Sequence, residues 1–158
     1  MVHITKKDLD KDNYYKDSGI NTTEEITCDE NLGYIKFKKS VITTKSIILG
    51  LSSGIEAGWG IEAGYGIKAG DGIKAGLSII CKRILKFSYQ LFSGTCTWRE
   101  TKEEDLIISC GKLETDGKII LGNLIETGIP EEVEKIKIIN GLKYRLVEDD
   151  NNVKEVSN

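Results

Sequence analysis

The stretch Gly54-Ile-Glu-Ala-Gly-Trp59, Gly60-Ile-Glu-Ala-Gly-Tyr65, Gly66-Ile-Lys-Ala-Gly-Asp71, Gly72-Ile-Lys-Ala-Gly-Leu77 repeats every six residues, with four of the six positions unchanged throughout. A period of six is three times the two-residue period of a strand and does not fit the turn of a helix. Ile at the second position and Ala at the fourth therefore share one side of the chain, and the Glu or Lys between them faces the other. Gly at the first and fifth positions marks corners, where the backbone takes positive φ or passes close to a neighbouring coil. The inward series extends beyond the perfect units as Leu49, Ile55, Ile61, Ile67, Ile73, Ile79 and Leu85, and as Leu51, Ala57, Ala63, Ala69, Ala75, Cys81 and Phe87, so residues 49–87 share one register. A Gly-rich linker would not hold Ile and Ala in phase, and the pattern predicts an all-β chain built on a short β-solenoid of hexapeptide repeats.

Two windings satisfy the repeat. Three hexads per turn stack residues eighteen apart, placing Ile55 on Ile73 and Glu56 on Lys74. Two hexads per turn place Glu56 on Lys68 and Glu62 on Lys74. Either sets opposite charges side by side, each pair contributing about 0.2–1 kcal/mol.

Coils bury their apolar faces only on one another, so the stack needs caps. Gly33 to Leu51 alternates Ile35 and Phe37 with Lys36 and Lys38 and reads as strands leading in. Leu85 to Trp98, Asp105 to Leu113 and Lys118 to Thr127 read as strands leading out, which continue the stack or fold over its end as flanking antiparallel strands. The expected organisation is a polar N-terminal arm over 1–31, loose or briefly helical, then the solenoid with its capping strands over 32–128, then a C-terminal segment over 129–158. In that last segment helix and strand compete over Glu131 to Ile139, Leu142 to Val147 reads as a strand, and the acidic Glu148 to Asn158 reads as a frayed tail.

With 158 residues and a single proline, the chain suits one regular core. No apolar run approaches the roughly 20 residues of a membrane span, and Met1 to Asp12 is too charged for a secretory signal, so a soluble cytoplasmic protein is expected. Cys28, Cys81, Cys96 and Cys110 lack metal-ligand spacing and read as buried thiols; no metal or cofactor is implied. The net charge of -3 conceals a basic middle: Lys36, Lys38, Lys39, Lys45, Lys68, Lys74, Lys82, Arg83 and Lys86 lie between acidic flanks. Such a segment suits an acidic protein surface or nucleic acid, unless the flanks pack over it.

Hexapeptide repeats invite comparison with the left-handed β-helix acyltransferases, whose chemistry uses a base between coils. The single histidine here is His3, outside the repeat, which also rules out a Ser-His-Asp or Cys-His set of ordinary form. The chain is expected not to be an enzyme. What remains is surface. Trp59 and Tyr65 hold the sixth repeat position, and beside Lys68 and Lys74 they have the composition of a binding hot spot if they are not packed under a flanking segment; Trp98 with Arg99 is a second candidate.

Gly54 to Leu77, followed by Ser78-Ile-Ile-Cys81-Lys and by Phe92-Ser-Gly-Thr-Cys-Thr-Trp98-Arg, resembles a group of repeat proteins of bacteria and their mobile elements, including prophages, over about residues 50–128. The resemblance implies a phage-derived inhibitor of a host defence system such as CRISPR-Cas, acting in the bacterial cytoplasm by blocking a protein or protein–nucleic acid surface. The alternatives are a sponge that captures an anionic nucleotide signal with basic residues between protomers, and a structural module of a bacterial or phage assembly. A protein partner is favoured over nucleic acid, and a homodimer fits the open ends of a solenoid.

Overall fold

The hexads wind three to a turn. In the computed structural model, which describes residues 1–130 and the backbone of the strands Ile136–Ile139, Leu142–Leu146 and Val153–Glu155, Ile55 pairs with Ile73, Ile61 with Ile79 and Ile67 with Leu85, each eighteen residues on. Three parallel sheets form the faces of a β-solenoid of about six turns. The first sheet stacks Val2–Ile4, Ile26–Cys28, Ile47–Leu51, Ile67–Gly70, Ile84–Phe87 and Lys112–Leu113. The second stacks Gly33–Phe37, Ser53–Ala57, Ile73–Ala75, Gln90–Phe92 and Lys118–Leu121. The third stacks Ile20–Thr22, Val41–Thr43, Ile61–Ala63, Ile79–Cys81, Ile107–Cys110 and Asn123–Glu126.

The expected inward positions fill the core. Ile55, Ile61, Ile67, Ile73, Ile79 and Leu85 are buried, as are the four alanines, Cys81 and Phe87. Each sheet thus lines the interior with a column of large aliphatic side chains, and burying one such side chain stabilises by about 1.5–3 kcal/mol. Phe37 stands over Ala57 and Phe87 over Ala69, so large residues enter the alanine columns only at the ends of the perfect repeat.

Two expectations need correction, and one open alternative is decided. Residues 1–31 are not a loose arm: Val2–Ile4, Ile20–Thr22 and Ile26–Cys28 join the sheets, and Tyr15 packs on Phe37 with ring centroids 5.3 Å apart. Their polar composition reflects an excursion, residues 5–17, fixed by Asp8. That carboxylate accepts from the Thr5 amide at 2.9 Å and lies 3.1 Å from Lys16 Nζ, interactions that hold its pKa down to about 2. The single register also fails before the repeat. Leu51 is 67% exposed, and the inward pair on its strand is Ile47 and Leu49. Coils there are twenty or twenty-one residues long, as in Val41 on Ile61 and Ile26 on Ile47. The extra residues enter at corners, with Ser52 at φ 53°, so a phase counted in sixes slips. Finally, the strands leading out are parallel continuations of the stack up to Glu126. Among the described strands, antiparallel pairing occurs further on, where Ile136–Ile139 pairs with Leu142–Leu146 and that strand with Val153–Glu155. The expected frayed tail lies largely outside the described residues, as does the start of the segment Glu131 to Ile139. Among the described residues no helix is long and apolar enough to cross a membrane.

Of the two reasons for glycine at the corners, close approach is the operative one. Among the described residues the glycines with positive φ are Gly33, Gly94, Gly122 and Gly128, none of them in the repeat. At Gly76, a Cβ would collide with the Gly58 carbonyl of the preceding coil; at Gly60 it would stand 3.3 Å from the Ser78 carbonyl. Gly76→Ala should therefore destabilise the fold by about 1–3 kcal/mol, whereas Gly60→Ala should cost clearly less. Denaturant midpoints of the two variants, measured side by side, check the difference.

Candidate binding surface

The winding brings the two aromatic candidates together. Trp59 stands at the corner between the second and third sheets, where the amide of Leu77 donates to its carbonyl at 3.3 Å from the next coil. One turn further on, at the same corner, the chain leaves the solenoid: Ile79 pairs with Ile108, twenty-nine residues later, and residues 93–106 form the excursion between them. This insertion folds back along the corner. Trp98 meets Trp59 with ring centroids 6.1 Å apart and planes inclined at 41°. Both indoles remain substantially exposed, 44% for Trp59 and 56% for Trp98.

The insertion is fixed from within. Arg99 reaches Asp105 in a two-pronged pair, Nη1 to Oδ2 at 2.7 Å and Nη2 to Oδ1 at 2.8 Å, and its guanidinium stacks 4.9 Å from the Trp98 ring centroid. The Lys102 amide donates to the same carboxylate at 2.8 Å. The Arg99 guanidinium and the Lys102 amide hold the buried Asp105 carboxyl below its ordinary range. Ser93, also buried, donates its hydroxyl to the Asp105 carbonyl at 2.7 Å, and the Thr95 hydroxyl donates to Ala75 at 3.1 Å, tying the loop to the last perfect hexad. A planar guanidinium pinned on its far edge and stacked on an indole limits the rotamers open to Trp98.

The other expected members lie elsewhere, because each sixth residue passes to the next face. Tyr65 occupies the corner between the third and first sheets, with Lys45 Nζ 5.7 Å and Arg83 Cζ 5.4 Å from its ring centroid. Lys68 faces outward on the first sheet and Lys74 on the second, where Glu56 lies 3.7 Å away. A single hot spot of Trp59, Tyr65, Lys68 and Lys74 is therefore not formed. The basic segment divides in the same way. Lys36 and Lys38 sit over the Tyr14 ring on the second sheet, and Lys39 is exposed at the Trp59 corner. Lys82 and Arg83 stand at the Tyr65 corner, their amides donating to the Tyr65 carbonyl, and Lys86 lies on the first sheet beside Lys68.

His3 is half-exposed and reaches from the first coil to the next on the outer side of the first sheet, to Thr27 Oγ1 at 2.7 Å and Asp29 Oδ1 at 2.9 Å. The cysteines are free. Burial, with Cys110 beside it in the next coil, pushes the Cys81 thiol up to about 12, and burial also raises Cys28 and Cys110. Among the described residues no cluster of His, Cys, Asp and Glu is placed to hold a metal ion. A scan against protein-family models and searches of curated proteins and of solved structures find no match.

Two predictions follow from this geometry. The chain has only two tryptophans, so its indole circular dichroism reports on the corner alone. A carboxylate whose folded pKa is depressed stabilises above the ordinary value, near 3.8, and loses that contribution as pH falls through the folded one. The indole signal should therefore persist down to pH 3.8 and collapse only on further acidification, whereas Asp105→Asn should weaken it already at neutral pH. Separately, alkylation of the native protein should modify Cys96, the one thiol of the four that is not buried, with the others reacting only in denaturant, as intact mass would show.

Proposed function

We propose that the protein acts by binding, without chemistry of its own, and that the Trp59–Trp98 corner is its docking element for a protein partner. One observation carries this reading: two tryptophans thirty-nine positions apart in sequence are brought into contact and yet left open to solvent. Exposed indoles are costly to keep on a surface unless they gain something by being covered, and Trp and Arg are the residues that dominate interface energetics. The rigid mount adds to this, because a side chain already ordered loses little entropy on binding. With Lys39 exposed at the same corner, the patch suits a partner that presents an apolar or aromatic knob next to acidic groups. The resemblance to prophage-borne repeat proteins extends the proposal to an inhibitor that covers a working surface of a bacterial defence complex.

Affinity capture from bacterial lysate with tagged wild-type protein and with Trp59→Ala and Trp98→Ala tests the reading. Each variant should retain the solenoid and lose about 2 kcal/mol of partner affinity, roughly thirtyfold. Undiminished capture by both folded variants would remove the corner from consideration.

A further inference from the structure

Lys68 and Lys86 stand in register on neighbouring strands of the first sheet. Like charges directly opposed across strands cost stability. The second sheet avoids this arrangement by setting Glu56 between Lys36 and Lys74. In the first sheet the outward column instead runs Ile48, Lys68, Lys86, with no acid interposed and both lysines exposed. Glu114, in the following coil, lies 3.4 Å from Lys112 Nζ, which offsets its charge.

The opposed lysines border a depression of about 270 Å³. Gly66 contributes no side chain to it, Ile48 and Ile84 line it with aliphatic surface, and Ser46 and Glu114 lie at its margin. Lys45, Tyr65 and Arg83, one residue ahead of Ser46, Gly66 and Ile84, form the adjoining corner and add positive potential beside the opening.

We propose that this depression binds a mononucleotide-sized phosphate ester. Two ammonium groups borne one strand spacing apart, about 4.8 Å, span the oxygens of a single phosphate, which relieves the repulsion that the register imposes. The aliphatic side chains of Ile48 and Ile84 beside them suit the face of a flat ring. The volume lies just under the usual range for organic ligand sites, about 300–1,000 Å³, and admits one nucleotide rather than a longer strand. The site lies on a different face from the paired tryptophans, so it stands independently of the docking proposal.

Titration of the full chain with adenosine 5′-monophosphate, followed by amide chemical shifts, tests the assignment. Saturable shifts centred on Gly66 and its neighbours are expected. Lys68→Gln and Lys86→Gln should each weaken binding about tenfold while leaving the indole dichroism of the distant corner unchanged. Glu114→Gln should tighten it, because a carboxylate at the margin opposes an anion. Inorganic phosphate should compete at higher concentration. The proposal is overturned if the nucleotide fails to saturate the shifts, or if both lysine variants bind as well as wild type. It is also overturned if oligothymidylate binds where the mononucleotide does not, which would make the column a nucleic-acid contact. Equal affinity for inorganic phosphate and the nucleotide would overturn the assignment of the ring to the Ile48 and Ile84 surface.

Discussion

The structure depends on how closely one coil can approach the next at its corners. Gly58, Gly64, Gly70 and Gly76 each place their Cα where a Cβ would strike a carbonyl of the preceding coil, at Lys38, Thr44, Gly50 and Gly58 respectively. Without that clearance the corners would stand apart, the ladders between strands would open, and isoleucines eighteen residues apart could not stack. The hydrophobic columns are thus a consequence of the corner contacts as much as a cause of the fold: burial supplies the driving force, and the glycines permit the spacing at which burial is complete. Where the sequence departs from the repeat the same logic persists locally. Gly19 and Gly50 make close, though less tight, approaches to Ser40 and to Asp29–Glu30 in coils of a different length.

A winding of three hexads sorts the sequence into three outer faces, and a block of like residues is thereby dispersed. The nine bases between residues 36 and 86 give one net-basic segment on paper, yet the fold distributes them over two sheets and two corners. On the second sheet they alternate with an acid, and the Glu56–Lys74 pair, both partners substantially exposed, contributes no more than about 0.5 kcal/mol. On the first sheet two of them remain opposed. Net charge over a segment therefore says little about charge on a face until the number of residues per turn is known.

This is also where the reading from sequence reached its limit. The all-β solenoid, the inward Ile and Ala and the corner glycines follow from the period alone, because a six-residue repeat admits few conformations that bury the same two positions every time. The N-terminal coil was hidden because its strands, Val2–Ile4 and Ile20–Thr22, are three residues each, too short for alternation to register against a polar excursion. Leu51 was misplaced because a two-residue corner insertion is invisible to a count in sixes. Trp59 and Trp98 could each be singled out, but not joined: their contact depends on an insertion folding back on a corner, and no periodicity encodes that. The available signal was the sequence Thr101 to Asp105 after Arg99, a polar turn with a carboxylate placed to receive a guanidinium.

A solenoid of this kind is rigid and repetitive, and repetition by itself cannot build a specific site, since every coil offers nearly the same surface. Specificity has to come from the places where the repeat is broken. The variable sixth position supplies one tryptophan at a fixed corner, and the insertion supplies the other together with its own clamp. Asp105 makes the clamp local: it satisfies Arg99 and the Lys102 amide within the loop, while the amides of Gly94, Thr95 and Cys96 and the hydroxyls of Ser93 and Thr95 anchor the start of the insertion to the coil of Ala75, Gly76 and Leu77. On the docking proposal, that clamp lets the loop present an ordered surface, the condition under which two exposed indoles can bind without first having to be arranged.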